Sequence, residues 1–160
     1  MKIFIGIISA LVLIFSANVS LAKKPVKPPP EPVSTNLMNV ITVSAENGDF
    51  TNPIDAINSI IDVSETNPYL IQIGPGLYDL GANQIVMKEW VNIRGSGQEV
   101  TKITGAVSSP DSWINSAFLY GANNAALADL TIENTGNSSI TTVIYNNAVS
   151  PSISRININV

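Results

Sequence analysis

The sequence predicts an all-β fold: a right-handed parallel β-helix of about three to four coils, capped at its N-terminal end by one α-helix. Three observations carry the prediction. The strand-like runs are short and separated by Gly and Asn turns that leave no room for crossover helices. Two strand patterns recur in phase along the second half of the chain. A single one-sided helix precedes the first regular coil.

Recurrence decides between the two architectures that short strands allow, because a solenoid must repeat whereas an antiparallel sandwich need not. Lys102-Ile103-Thr104, Asp129-Leu130-Thr131 and Arg155-Ile156-Asn157 share a charged, aliphatic, polar pattern and are nearly evenly spaced along the chain. Val91-Asn92-Ile93, Phe118-Leu119-Tyr120 and Val143-Ile144-Tyr145 recur between them with nearly the same spacing. Two columns locked in phase are what a stacked β-helix requires. Strand alternation then points Leu130 and Ile132 inward above Ile156 and Ile158, and turns Asp129, Thr131 and Glu133 outward beside Arg155, Asn157 and Asn159. Lys102, Asp129 and Arg155 are expected to form an exposed column of alternating charge.

In chain order, residues 1–22 read as a cleavable secretory signal: Lys2, an apolar stretch from Ile3 to Phe15, and Ser20-Leu21-Ala22 as the cleavage site. The apolar stretch is shorter than the roughly 20 residues a membrane span needs. Residues 23–36 are a Pro-rich linker; its segment KKPVKPPPEP favours an extended tether, with a ligand for a Pro-binding module as the alternative. The β-helix domain occupies 37–160. Val40 to Val43 is its first strand, and Glu46-Asn47-Gly48-Asp49 is turn chemistry. Thr51-Asn52-Pro53 offers an N-cap with Pro at the first helical position, and Ile54, Ile57, Ile60 and Ile61 make one apolar face of a helix of about ten residues. That face is the expected cap over the open end of the first coil. Short strands follow at Tyr69 to Ile73, Leu77-Tyr78, Gln84 to Met87 and Val91 to Ile93. No capping helix follows the last pattern before Val160, so the domain is expected to be incomplete at its C-terminus, with an exposed last coil open to end-to-end self-association.

These residues resemble the pectin lyase-like β-helix superfamily, and within it the start of pectinesterase-type domains. Asn47-Gly48-Asp49-Phe50-Thr51 before the helix, Ile73-Gly74-Pro75-Gly76-Leu77-Tyr78 and Val91-Asn92-Ile93-Arg94-Gly95-Ser96-Gly97 carry the resemblance, over about residues 40 to 105. The resemblance implies a β-helix and, for a complete pectinesterase, two Asp, an Arg and oxyanion-stabilising Gln residues drawn from later coils. Gln72, Gln84 and Gln98 all lie too early to fill that role. No catalytic residue is carried over.

Composition narrows the chemistry further. After the signal the chain holds seven basic and twelve acidic side chains, which disfavours nucleic acid as a partner. There is no Cys and no His, closing disulfides, thiolate nucleophiles, Ser-His-Asp triads and imidazole-bound zinc. No cofactor and no metal is expected: Glu46-Asn47-Gly48-Asp49 lacks the later ligands of a calcium loop, and only three acidic residues follow Thr101. The candidate catalytic pair is Asp129 with Arg155, a cation that would keep the carboxylate ionised, against the plainer reading of an exposed cross-coil ion pair. Glu133 stands about 13 Å along an extended strand from Asp129, too far for a glycosidase pair. Tyr120 and Tyr145 are expected to stack on each other, and Trp113 is the candidate surface contact for a glycan. The reading is an exported protein, secreted, periplasmic or at the cell surface. It would be the N-terminal part of a protein that engages extracellular polysaccharide, without a complete active site. The alternatives are a pectinesterase- or pectate-lyase-type enzyme whose catalytic coils lie beyond residue 160, and a structural adhesin or fibre segment.

Overall fold

The computed structural model describes residues 38–160, so the expected signal (1–22) and linker (23–36) lie outside the described residues. The elements in chain order are β1 (Asn39–Val43), α1 (Pro53–Ser59), β2 (Tyr69–Ile73), β3 (Gly76–Asp79), β4 (Ile85–Val86), β5 (Val91–Arg94), β6 (Thr101–Gly105), β7 (Ala117–Tyr120), β8 (Ala126–Asn134), β9 (Thr142–Tyr145) and β10 (Ser152–Asn159). Every pair among these strands is parallel.

Three stacked faces make a β-solenoid. The first stacks β1, β2, β5, the start of β8 and the start of β10; the second stacks β3, β6 and the later parts of β8 and β10; the third stacks β4, β7 and β9. Inward side chains form aliphatic ladders. Ile41, Ile71, Ile93, Leu127 and Ile153 stand one above another on the first face. Tyr78, Ile103, Ile132 and Ile158 do so on the second, and Ile85, Leu119 and Ile144 on the third. The middle rungs Ile71, Leu127, Leu119 and Ile132 are fully buried. Each such side chain contributes roughly 1.5–3 kcal/mol of transfer free energy, which is what holds a fold lacking disulfides together.

The solenoid has about five coils, more than the sequence pattern suggests, because the coils differ in length. Tyr69 pairs with Val91, Ile93 with Leu127 and Leu130 with Ile156, so the coil that returns Ile93 to Leu127 is much the longest of these and the one before it the shortest. The expected columns need two corrections. Ile103 stacks on Ile132 rather than Leu130. Val91 to Ile93 belong to the first face, and the strand beneath Leu119-Tyr120 is Ile85-Val86. The physical reason is that β8 and β10 each run through a corner. Asp129 (φ 58°) and Arg155 (φ 49°) adopt left-handed backbone there, so one strand serves two faces and a simple period-2 reading slips across the bend. In the coil below, the corner is the wider turn from Gly95 to Val100. Gly95 is required in it, since a Cβ would run into the Asp129 carbonyl oxygen.

Helix α1 covers the opening at β1 and β2. Asn52 is its N-cap, with Oδ1 accepting from the Ile54 N–H at 2.8 Å, and Pro53 opens the helix. Pro53, Ala56, Ile57 and Ile60 are buried. Ile61 is 91% exposed and leaves the expected apolar face, because the helix ends at Ser59 and Ile60 is already extended at ψ 110°. Lys88 donates to the Ile60 carbonyl at 2.7 Å, supplying a cation at the helix C-terminus from a neighbouring loop. Asp49 accepts from the Thr42 N–H and hydroxyl at 2.8 and 2.7 Å, which makes 46–49 a turn clasp and holds the Asp49 carboxyl below its usual range.

Candidate functional site

The charged corner between the first two faces gathers Asp129, Arg155 and Arg94. Asp129 Oδ1 accepts from Arg155 Nε at 2.5 Å, and its Oδ2 from Arg155 Nη2 at 2.9 Å and Arg94 Nε at 2.8 Å. The Asp129 side chain is only 16% exposed, whereas the two arginines are 55% and 61% exposed. Hydrogen bonding to Arg155 and then to Arg94 outweighs the opposing effect of burial and lowers the Asp129 carboxyl to about 2. The fork-to-fork contact with Arg155 is the strong bidentate geometry.

The expected charge column is therefore real at Asp129 and Arg155 but completed by Arg94, not Lys102. Lys102 instead pairs with Glu133 at 2.8 Å, and the Thr104 hydroxyl donates to the same carboxylate at 3.2 Å. The substitution follows from the corner: β5 ends with Arg94 beside Ala128, one residue before Asp129, while β6 lies against the later part of β8. Both carboxylates of β8 are thus occupied by cations, and Glu133 is likewise held below its usual range. Thr131, expected outward, is covered because its hydroxyl donates to the Gln98 carbonyl at 2.6 Å.

A cavity of about 270 Å³ opens beside the corner, lined by Arg94, Arg155, Asn92, Ala126 and Ala128 among others. Among the described residues no group of three or more Cys, His, Asp or Glu is arranged to hold a metal ion. Trp113, the sequence candidate for glycan contact, is 65% exposed on the loop between β6 and β7. Tyr120 and Tyr145 meet edge to face, with ring centroids 6.0 Å apart. Sequence reasoning gave Arg94 no role at the site and preferred Trp113 to Trp90, although turn residues flank both. The Trp90 backbone takes φ 62°, a rare conformation for a bulky residue.

The fold is a right-handed parallel β-helix with one short helix, and its likeness to solved structures is one of fold. The solved structures it resembles include a pectin methylesterase from carrot (TM-score 0.59, 19% identity, 81% of this chain and 44% of that one). They include a pectin methylesterase from Erwinia chrysanthemi (TM-score 0.51, 21% identity, 62% of this chain and 31% of that one). A further pectin methylesterase structure, in complex with a hexasaccharide, matches with a TM-score of 0.51 at 21% identity, over 63% of this chain and 32% of that one. The chain thus spans less than half the length of each. No protein-family model matches it, and no curated protein does.

Proposed function

We propose that this chain is the polysaccharide-engaging part of an exported cell-surface or secreted β-helix protein, and that it holds no complete active site of its own. The observation that carries the reading is the likeness of the coils to those of pectin methylesterases, one of them solved with a hexasaccharide. Export is supported by the Lys2, Ile3-to-Phe15 and Ser20-Leu21-Ala22 pattern. Non-catalytic engagement is supported by the state of the late carboxylates: Asp129 sits between two guanidiniums and Glu133 against an ammonium, so each is a poor proton acceptor.

The rival is a pectinesterase-like hydrolase completed by further coils, favoured by the length of the matched structures outside the aligned part. Affinity electrophoresis in gels cast with methyl-esterified pectin tests engagement: retarded migration is expected, and unchanged migration in pectin and other polysaccharide gels contradicts it. Methanol release tests catalysis in the same preparation. None above a heat-killed control is expected; turnover that disappears in Asp129→Asn would make the Asp129/Arg155 pair catalytic.

A further inference from the structure

We infer that the outer side of the β5/β8/β10 face is a groove for an acidic polysaccharide, its uronate carboxylate held by Arg94 and Arg155 and a sugar ring stacked on Trp90. Such a groove presupposes the polysaccharide reading above and names the surface and ligand chemistry that carry it. Two cavities, of about 270 and 330 Å³, share Met38 and Asn92 and so form one trough. Trp90 and Asn124 line one end; Arg94 and Arg155 line the other. From Ala126 to Asp129 the strand runs about 10 Å at roughly 3.3 Å per residue, and the turn at Asn124 lies beyond its start, which leaves room for a short oligosaccharide. The floor is low because Ala126 and Ala128 face outward between the two ends, paired with Ser152 and Ser154 in the next coil.

Charge orients the ligand. Arg94 and Arg155 share the single carboxylate of Asp129, which leaves a net positive end on a chain of net charge −4. Arg94 spends only its Nε on Asp129 and Arg155 its Nε and Nη2, so terminal guanidinium N–H groups remain for a second, planar carboxylate. The opposite end is acidic: Glu65 lines it, and Glu89 accepts from the Asn124 amide at 3.2 Å. A uronate carboxylate is repelled there and attracted at the arginines, while a hydroxylated ring suits Trp90.

Trp90 is half-buried and held at φ 62°, a strained backbone for a bulky side chain, fixed by its N–H donating to the Asn124 carbonyl at 3.2 Å and its carbonyl accepting from the Tyr69 N–H at 2.9 Å. Among the described residues its indole N–H makes no hydrogen bond, and the Asn92 amide meets only the Met38 sulfur at 3.8 Å, a poor acceptor. Donors for sugar hydroxyls are therefore free along the trough.

The test uses the purified native protein for calorimetry and, for emission, the protein carrying Trp113→Phe, which leaves Trp90 as the only indole. The titrants are an oligogalacturonate, an oligomannuronate, the methyl-esterified oligogalacturonate and a neutral galacto-oligosaccharide. At least one oligouronate is expected to change Trp90 emission, to bind about tenfold or more tightly than the ester or neutral chain, and to weaken as salt rises. Arg94→Gln, which keeps the bidentate Arg155–Asp129 pair, is expected to lose that preference; if it does not fold, the ester comparison and salt dependence decide. Oligouronate binding with unchanged Trp90 emission and equal affinity in Arg94→Gln overturns the groove but leaves polysaccharide engagement standing. Equal binding of uronate, ester and neutral chains overturns the carboxylate recognition. Binding of none of the four overturns both.

Discussion

Asn134 is one amide among many in a sequence rich in Asn, yet it is fully buried and hydrogen-bonded on every side. Its Oδ1 accepts from the Val107 and Gly136 N–H groups at 2.9 and 3.2 Å, and its Nδ2 donates to the Val107 and Thr142 carbonyls at 2.7 Å each. One side chain thereby ties β8 to the loop after β6 and to the start of β9. Asn134→Leu fills the space but strands those buried groups, so chemical denaturation should show a loss of about 3 kcal/mol or more. Asp129 gives a pH signature. Its folded pKa of about 2 lies below the unfolded value near 3.9, so its contribution is present above that unfolded value and vanishes as pH falls through about 2. Urea midpoints for the native protein and Asp129→Asn should differ at pH 5 and converge towards pH 2. Residue identity was legible where chemistry is local: Asp49 as a turn residue, Asn52 as a cap. It was not legible for Asn134 or Arg94, whose roles depend on which coil lies next to which.

Helix α1 was legible as an element because cap, Pro and Ile spacing all point the same way. Its end was not: Ile61 fits the helical period but falls past Ile60, where the backbone is extended and Lys88 closes the last carbonyl. The two isoleucines therefore separate burial from periodicity. Ile57→Ala, at 3% exposure, should lower unfolding free energy by about 2–5 kcal/mol, whereas Ile61→Ala, at 91% exposure, should stay within about 0.5 kcal/mol of the native protein. Equal effects would mean that the helix ends later and both side chains cover the coil. Strands β1 to β6 fell where short β-prone runs and turn residues placed them. The bent strands β8 and β10 did not, since alternation carries no mark of a left-handed Asp or Arg at a corner.

At the scale of the molecule, parallel stacking was visible in the even recurrence of the two strand patterns, while the short coil from Tyr69 to Val91 and the long one from Ile93 to Leu127 hid the first rungs. The two ends differ. The first coil is covered by α1, whereas among the described residues β10 pairs only with β8, and Ile158 is 53% and Val160 85% exposed. Repeat stability is close to a sum of neighbour terms, so a coil with one neighbour opens first. Amide exchange should be fast from about Ser150 onward and slow at Ile71 to Ile73; protection of the last strand that rises with protein concentration would indicate end-to-end association. The proposed function has these coils hold a polysaccharide without turning it over. Proton NMR of the purified protein with methyl-esterified oligogalacturonate and its de-esterified form tests both halves in one sample. Saturable shifts of protein amide resonances are expected with no growth of a methanol line; unmoved resonances with both oligosaccharides, or methanol accumulating above a heat-killed control, would contradict the proposed function.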